Sequence, residues 1–151
     1  MKYLCYIRPV LISILLGFGI ESAEAQVIDI PDKSKTHFSQ KYPGAQEVDW
    51  DNNVTNYTAK FKVNNNTYKA YYHMDGTWDY TVMYMTEADL PQAVKDAVAK
   101  SRIADWKPKS VAHVENNKGE HSYRVEREKG LEERFIFFNK DGKEVKSVYK
   151  L

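Results

Sequence analysis

Apolar and polar positions alternate with a period of two over residues 56–63. Tyr57, Ala59, Phe61 and Val63 point one way, and Thr58, Lys60 and Lys62 point the other. Such a period marks a strand with one buried face. The alternation resumes over residues 67–74, with Tyr68, Ala70 and Tyr72 set against Lys69, Tyr71 and His73. Asn64-Asn65-Asn66 is the turn between the two strands. Asp75-Gly76 fits a two-residue hairpin turn, because both residue types tolerate positive φ. Residues 77–84 then return as a further strand. Upstream, residues 47–51 read as a short strand, closed by Asp51-Asn52-Asn53. Before it, Asp32 is placed to cap a short helix through residue 42, with Phe38 and Tyr42 on one face. Pro43-Gly44 ends that helix.

The second half follows a similar plan. Residues 86–90 lead into another helix, and Pro91 suits its first position. Ala93, Val94, Ala97 and Val98 form an apolar stripe, with Lys95, Asp96 and Lys100 outside it. Strands are expected over residues 109–115, 121–128, 132–139 and 143–149, with turns at residues 116–119, Lys129-Gly130 and Asp141-Gly142. Val48-Asp49-Trp50 and Ala104-Asp105-Trp106 hold equivalent places, as do the two Asp-Gly turns. The expected fold class is therefore α+β: a tandem repeat of a helix plus a four-stranded antiparallel sheet, with the helices packed on one sheet face. The repeats span residues 26–85 and 86–151 and form one compact domain.

The first 25 residues read as an address. Lys2 and Arg8 precede an apolar stretch over residues 9–20, and Ala23-Glu24-Ala25 is a small-x-small cleavage site. Cleavage after Ala25 makes the protein periplasmic or secreted. The stretch falls short of the roughly 20 residues that span a bilayer, so an uncleaved anchor is the weaker reading. Val27, Ile28 and Ile30 form an extended apolar lead. Cys5, the single cysteine of the 151 residues, precedes the apolar stretch and is not placed for lipid attachment. The exported chain then has no disulfide, and its core alone must stabilise it.

The charges nearly cancel, at a formal net of +1. Without a basic stripe to neutralise phosphates, nucleic acid is not an expected partner. No polybasic or amphipathic segment points to a membrane surface after cleavage. Of the eleven Tyr, three Trp and six Phe, the nine Tyr, three Trp and five Phe beyond residue 25 supply a core and leave aromatic side chains over.

The string Lys41-Tyr42-Pro43-Gly44-Ala45, then Val48-x-Trp50, then Ala70-Tyr71-Tyr72-His73-x-Asp75-Gly76-x-Trp78 resembles a PepSY-like repeat. A second copy is similar through Leu90-Pro91-x-Ala93-Val94, Tyr123-x-Val125-Glu126 and Phe138-Asn139-Lys140-Asp141-Gly142. The resemblance is to a beta-lactamase-inhibitor-like family of small exported bacterial proteins, and it covers residues 28–148. It implies a tandem α/β arrangement whose strands join in one curved sheet with the helices behind. It does not imply beta-lactamase as a target, and the cysteines common in the inhibitor proper are absent.

Candidate chemistry is sparse. His37, His73, His113 and His121 show no helical metal-pair spacing, so no metal site and no cofactor are expected. His73 and Asp75 flank a turn, where a polar strand end explains them. Neither Asp-Gly turn offers the spaced oxygen ligands of a calcium loop. Three Asn-x-Thr triplets, at Asn53, Asn56 and Asn65, read as turns and strand starts. No Gly-x-Ser-x-Gly elbow occurs and no nucleophile is paired with a base, so no catalytic residues are assigned and the chain is not read as an enzyme.

Registering each strand on its Asp-Gly turn puts Tyr68, Tyr72, Ile136 and Phe138 on the helix-covered face. Tyr71, Phe135 and Phe137 then point to the opposite face, beside Lys60, Lys62, Lys69, His73 and Glu133. Aromatics interleaved with charges on an uncovered sheet suit protein recognition. The alternative is that a loop, the chain's N-terminus or a dimer partner covers them. The leading expectation is an exported non-enzymatic module that holds a protein or peptide partner of the cell envelope, as an inhibitor or otherwise, through Lys60, Lys62, Lys69, Tyr71, His73, Phe135 and Phe137. Two other expectations are a small-ligand or cation-binding envelope protein, and a hydrolase whose site assembles only in space.

Overall fold

The two alternating stretches meet as a hairpin. β2 (Asn56–Val63) and β3 (Asn66–His73) pair antiparallel without a break, from Asn56 opposite His73 to Val63 opposite Asn66. Asn64 and Asn65 carry φ of 48° and 66° in the turn, the left-handed pair that a tight hairpin requires and asparagine tolerates. The computed structural model describes residues 29–147 and Tyr149. The expected leader over residues 1–25, its cleavage site, Cys5, and Val27 and Ile28 of the apolar lead lie outside the described residues.

Along the chain, α1 (Asp32–Lys41) and β1 (Gln46–Asn52) precede the hairpin, and β4 (Trp78–Met85) follows it. A short 3-10 turn (Glu87–Asp89) and α2 (Gln92–Ala99) come next, then β5 (Lys107–Asn116), β6 (His121–Lys129), β7 (Glu132–Phe138) and β8 (Glu144–Val145). All eight strands form one antiparallel sheet in the order β1 to β8.

This sheet corrects the expected fold class. A tandem repeat of separate four-stranded units would end at β4 and begin again at β5. Instead β4 pairs with β5 from Tyr80 opposite Asn116 to Met85 opposite Val111. Two four-stranded sheets would leave two long edges of unpaired backbone groups at mid-molecule, and joining them satisfies both. Val82 and Val114, partners across the seam, are 1% and 0% exposed.

Both helices lie against the same side of the sheet. Phe38 of α1 packs edge-on against Phe61 at 4.9 Å and against Trp50 at 5.4 Å, above a floor of Ala59, Ala70 and Tyr72. Leu90 and, from α2, Val94 and Val98 pack on Val111, Val125, Ile136 and Phe138. Each fully buried aliphatic side chain of this kind contributes roughly 1.5–3 kcal/mol. Asp32 does not cap α1. Pro31 takes the capping position, where its carbonyl accepts from the amides of Ser34 and Lys35, and Asp32 falls in the first turn, where its charge suits the positive end of the helix. Pro91 likewise stands just ahead of α2, its carbonyl accepting from Val94 and Lys95.

The Asp-Gly turns dock beneath the helices. A Cβ on Gly142, whose φ is +78°, would lie 2.8 Å from the carbonyl carbon of Ala93 and closer still to its oxygen. Only glycine meets both the backbone conformation and that approach. The last strand is shorter than expected. After Val145 the chain leaves the sheet, so the described residues 146, 147 and 149 are not part of it.

Candidate functional site: the helix-free face of the sheet

The alternation that sends Tyr72 and Phe138 under the helices sends their neighbours to the other side. Tyr71, Tyr80, Tyr84, Val82, Ala112, Val114, Phe137, Val145 and Tyr149 cluster there. The rings form a continuous run across the middle of the sheet. Tyr71 stacks on Tyr80 with centroids 4.3 Å apart, and Tyr80 stacks on Tyr149 at 4.0 Å and 8°. Tyr149 meets Phe137 edge-on at 5.5 Å, and Phe137 meets Phe135 edge-on at 5.9 Å. Such geometries each add about 0.5–1.5 kcal/mol beyond area burial.

The expected residues fall along this face with unequal exposure. Phe135 is 36% exposed, whereas Phe137 is 4% exposed and lies under Tyr149. Tyr71 is half-buried in the stack. Lys60 is exposed and Lys69 half-buried; they are cross-strand partners, and among the described residues neither has a carboxylate within ion-pair distance. Lys62 pairs with Glu47 at 2.6 Å. His73 stands at the end of β3, 3.7 Å from Asp79 Oδ1. Among the described residues, the cover over Phe137 comes from Tyr149.

The far end of the face is charged but internally neutralised. Lys109 bridges Glu126 at 3.1 Å and Glu133 at 2.5 Å, and Lys107 pairs with Glu128 at 2.8 Å. Between this end and the tyrosines stands Arg124. Its Nη1 donates to the Tyr149 hydroxyl at 3.0 Å, and its guanidinium lies 6.0 Å from the ring centre of Tyr84. Burial opposes the Arg124 charge, but Tyr149 and Tyr84 favour it and leave the pKa raised. Burial pushes the Tyr71 phenol up to about 12, with nearby Tyr84 adding to the shift. Burial also raises Tyr80 and Tyr149, although Arg124 works the other way on Tyr149.

Tyr80, Tyr84, Arg124 and Tyr149 belong to this site and were not among the expected residues. Three of them carried a signal. Tyr80 and Tyr84 alternate with Thr81 and Met83 along β4, and Arg124 sits between the helix-side Tyr123 and Val125. Tyr149 was expected only as the last residue of a strand over residues 143–149, which in the structure ends at Val145.

Beside the ring run, His73, Asp79, Asn116, Asn117, Lys118, Ser147 and Tyr149 line an open cavity of about 420 Å³. It brings a His, a carboxylate and a Ser together. The Ser147 hydroxyl, however, is engaged with the carbonyl and amide of Tyr149, and among the described residues it makes no hydrogen bond to His73. The other histidines lie on the helix side, His37 stacked on Trp78 and His113 stacked on His121. Among the described residues, no group of three or more His, Cys, Asp or Glu side chains is arranged to hold a metal ion, and no helix is long and apolar enough to cross a membrane.

No protein-family model matches the chain, and no curated protein matches it. Solved structures do. A BLIP-like protein from Bacteroides fragilis superimposes with a TM-score of 0.70 at 19% identity, over 80% of this chain and 86% of that one. A DUF2874 family protein from Bacteroides ovatus gives 0.69 at 22% identity, over 78% and 86%. A protein from Bacteroides eggerthii described as a periplasmic candidate gives 0.68 at 21% identity, over 78% and 87%. At such identities the shared property is the fold, which is of the BLIP-like kind. The PepSY-like likeness remains one of sequence motifs.

Proposed function

We propose that the chain is a non-enzymatic binding module of the cell envelope, which holds a protein or peptide partner on the helix-free face of its sheet. One observation carries the reading: an aromatic run from Tyr71 to Phe135 that ends in exposed ring surface, beside two lysines, Lys60 and Lys69, without described acid partners. Large rigid rings give contact area at low entropic cost, and unpaired cations at the rim select a partner and its orientation. The signal-like leader supports an envelope location, as does likeness to a protein described as a periplasmic candidate. The BLIP-like neighbour supports protein binding, of which enzyme inhibition is one form.

Phe135, Lys60 and Lys69 are exposed or half-buried, so changing them costs the fold little, on the order of 0.5 kcal/mol each. Phe135→Ser combined with Lys60→Glu and Lys69→Glu is expected to abolish capture of the partner from an envelope extract while the circular dichroism spectrum is unchanged. Capture at the wild-type level would overturn the reading.

A second reading rests on the cavity of about 420 Å³, lined by His73, Asp79, Asn116, Asn117 and Lys118 among others: a small-ligand or cation site beside His73 and Asp79. A ligand that binds only the folded state raises the melting temperature. His73→Ala would remove that shift while leaving capture of a protein partner intact.

A further inference from the structure

The C-terminal end of the chain shows what the aromatic face accepts. β8 stops at Val145, and among the described residues no backbone hydrogen bond ties the chain beyond it to a neighbouring strand. Tyr149 is nevertheless only 8% exposed. Its ring is held on three sides: parallel to Tyr80 at 4.0 Å, edge-on to Phe137 at 5.5 Å, and by the 3.0 Å hydrogen bond from Arg124 to its hydroxyl. Ser147 folds back onto the Tyr149 backbone and turns the segment into a hook.

The walls of this slot do not depend on the hook. Tyr80 is braced by Tyr71, and Val82, Val114 and Phe137 belong to paired strands. Arg124 is also fixed within β6, and among the described residues no carboxylate lies within ion-pair distance of it. Lifting Tyr149 out would leave an aromatic floor with a cationic donor at its end. The shape discriminates. A phenylalanine would stack on Tyr80 and leave the desolvated Arg124 donor without its acceptor. A short carboxylate would pair with Arg124 and leave the ring floor uncovered.

We infer that this slot is a recognition site for a tyrosine side chain, that Tyr149 occupies it in the isolated molecule, and that the tyrosine of a partner displaces Tyr149 on binding. The inference rests on the proposed binding face and names the chemistry of its occupant. A tethered Tyr149 competes at an effective concentration of roughly millimolar, so it weakens every partner that needs the same slot. The hook thus sets a threshold that only a partner with further contacts, such as those to Phe135 and Lys69, passes.

The test uses the full chain and a fluorescent peptide spanning residues 144–151 as the probe. The Tyr149→Ala protein is expected to bind the peptide at least tenfold more tightly than wild type. Changing the tyrosine of the peptide to alanine is expected to abolish binding. Arg124→Met, made in the Tyr149→Ala protein, is expected to erase the preference for tyrosine over phenylalanine in the peptide. A Tyr149→Phe protein keeps the ring in place and is expected to fall between wild type and Tyr149→Ala, which serves if the alanine variant loses its fold. Equal binding by all these proteins, no binding by folded Tyr149→Ala or Tyr149→Phe protein, or tight binding of the alanine peptide would overturn the inference. If the peptide fails while the Phe135 and lysine substitutions still abolish envelope capture, the slot is wrong and the face stands. If the peptide binds while capture ignores those substitutions, the slot stands and the face is wrong.

Discussion

At the residue scale, the tyrosines of the two faces behave as core residues with a polar end. Tyr72 meets His37 Nδ1 at 3.2 Å, and the Tyr42 hydroxyl meets Thr81 Oγ1 at 2.6 Å, so these buried phenols are satisfied inside the protein. Burial raises the pKa of Tyr42, Tyr71, Tyr72, Tyr80 and Tyr149 alike. The sign follows directly. A phenol whose folded pKa exceeds its unfolded value near 10 contributes stability that is complete below pH 10 and is lost as pH rises through the folded value. For Tyr71 that window runs from pH 10 to about 12. An alkaline titration followed by phenolate absorbance is therefore expected to show some tyrosines ionising only together with unfolding. A single transition near pH 10 for all of them, with the fold intact, would contradict the burial described.

At the scale of elements, the contact between α2 and the turn joining β7 to β8 is the tightest backbone approach of any glycine turn described. Gly142→Ala combines left-handed strain with overlap onto the Ala93 carbonyl and is expected to destabilise the protein by about 2–4 kcal/mol in urea denaturation. Gly44→Ala, at a turn with nothing within 4 Å, is the matched control and is expected to change stability little. These elements also show what the sequence made legible. Strand β2 coincides with the alternating stretch at residues 56–63, and Tyr71 and Tyr72 separate onto opposite faces as a period of two requires. The β4–β5 seam was not legible in the residue pattern, because local alternation states which side a residue faces and not which strand lies beside it; only the family resemblance implied a joined sheet. The end of β8 was not legible either. Residues 143–149 keep a strand-like composition, but the chain lifts away and the Tyr149 ring finds a better partner in Tyr80 than in continued pairing.

At the scale of the whole molecule, one eight-stranded sheet carries both helices on one side and the aromatic run on the other. With a net charge of +1, long-range steering contributes little, so the proposed recognition rests on the rings, Arg124 and the local lysines. The candidate site was legible as a face but not as a slot. Phe135 and the lysines follow from register, whereas burial of Phe137 beneath Tyr149 depends on a contact between β7 and the chain end that no spacing encodes. The central claim is that the partner docks on the side away from the helices. Its most direct measurement is site-specific photo-crosslinking in the native host, with a photoreactive side chain placed at position 135, 60 or 69 and, as controls on the helix side, at position 35 or 95. The account predicts a discrete crosslinked partner from the first three positions and none from the controls. Adducts from positions 35 or 95 alone, or none from the sheet positions, would contradict it.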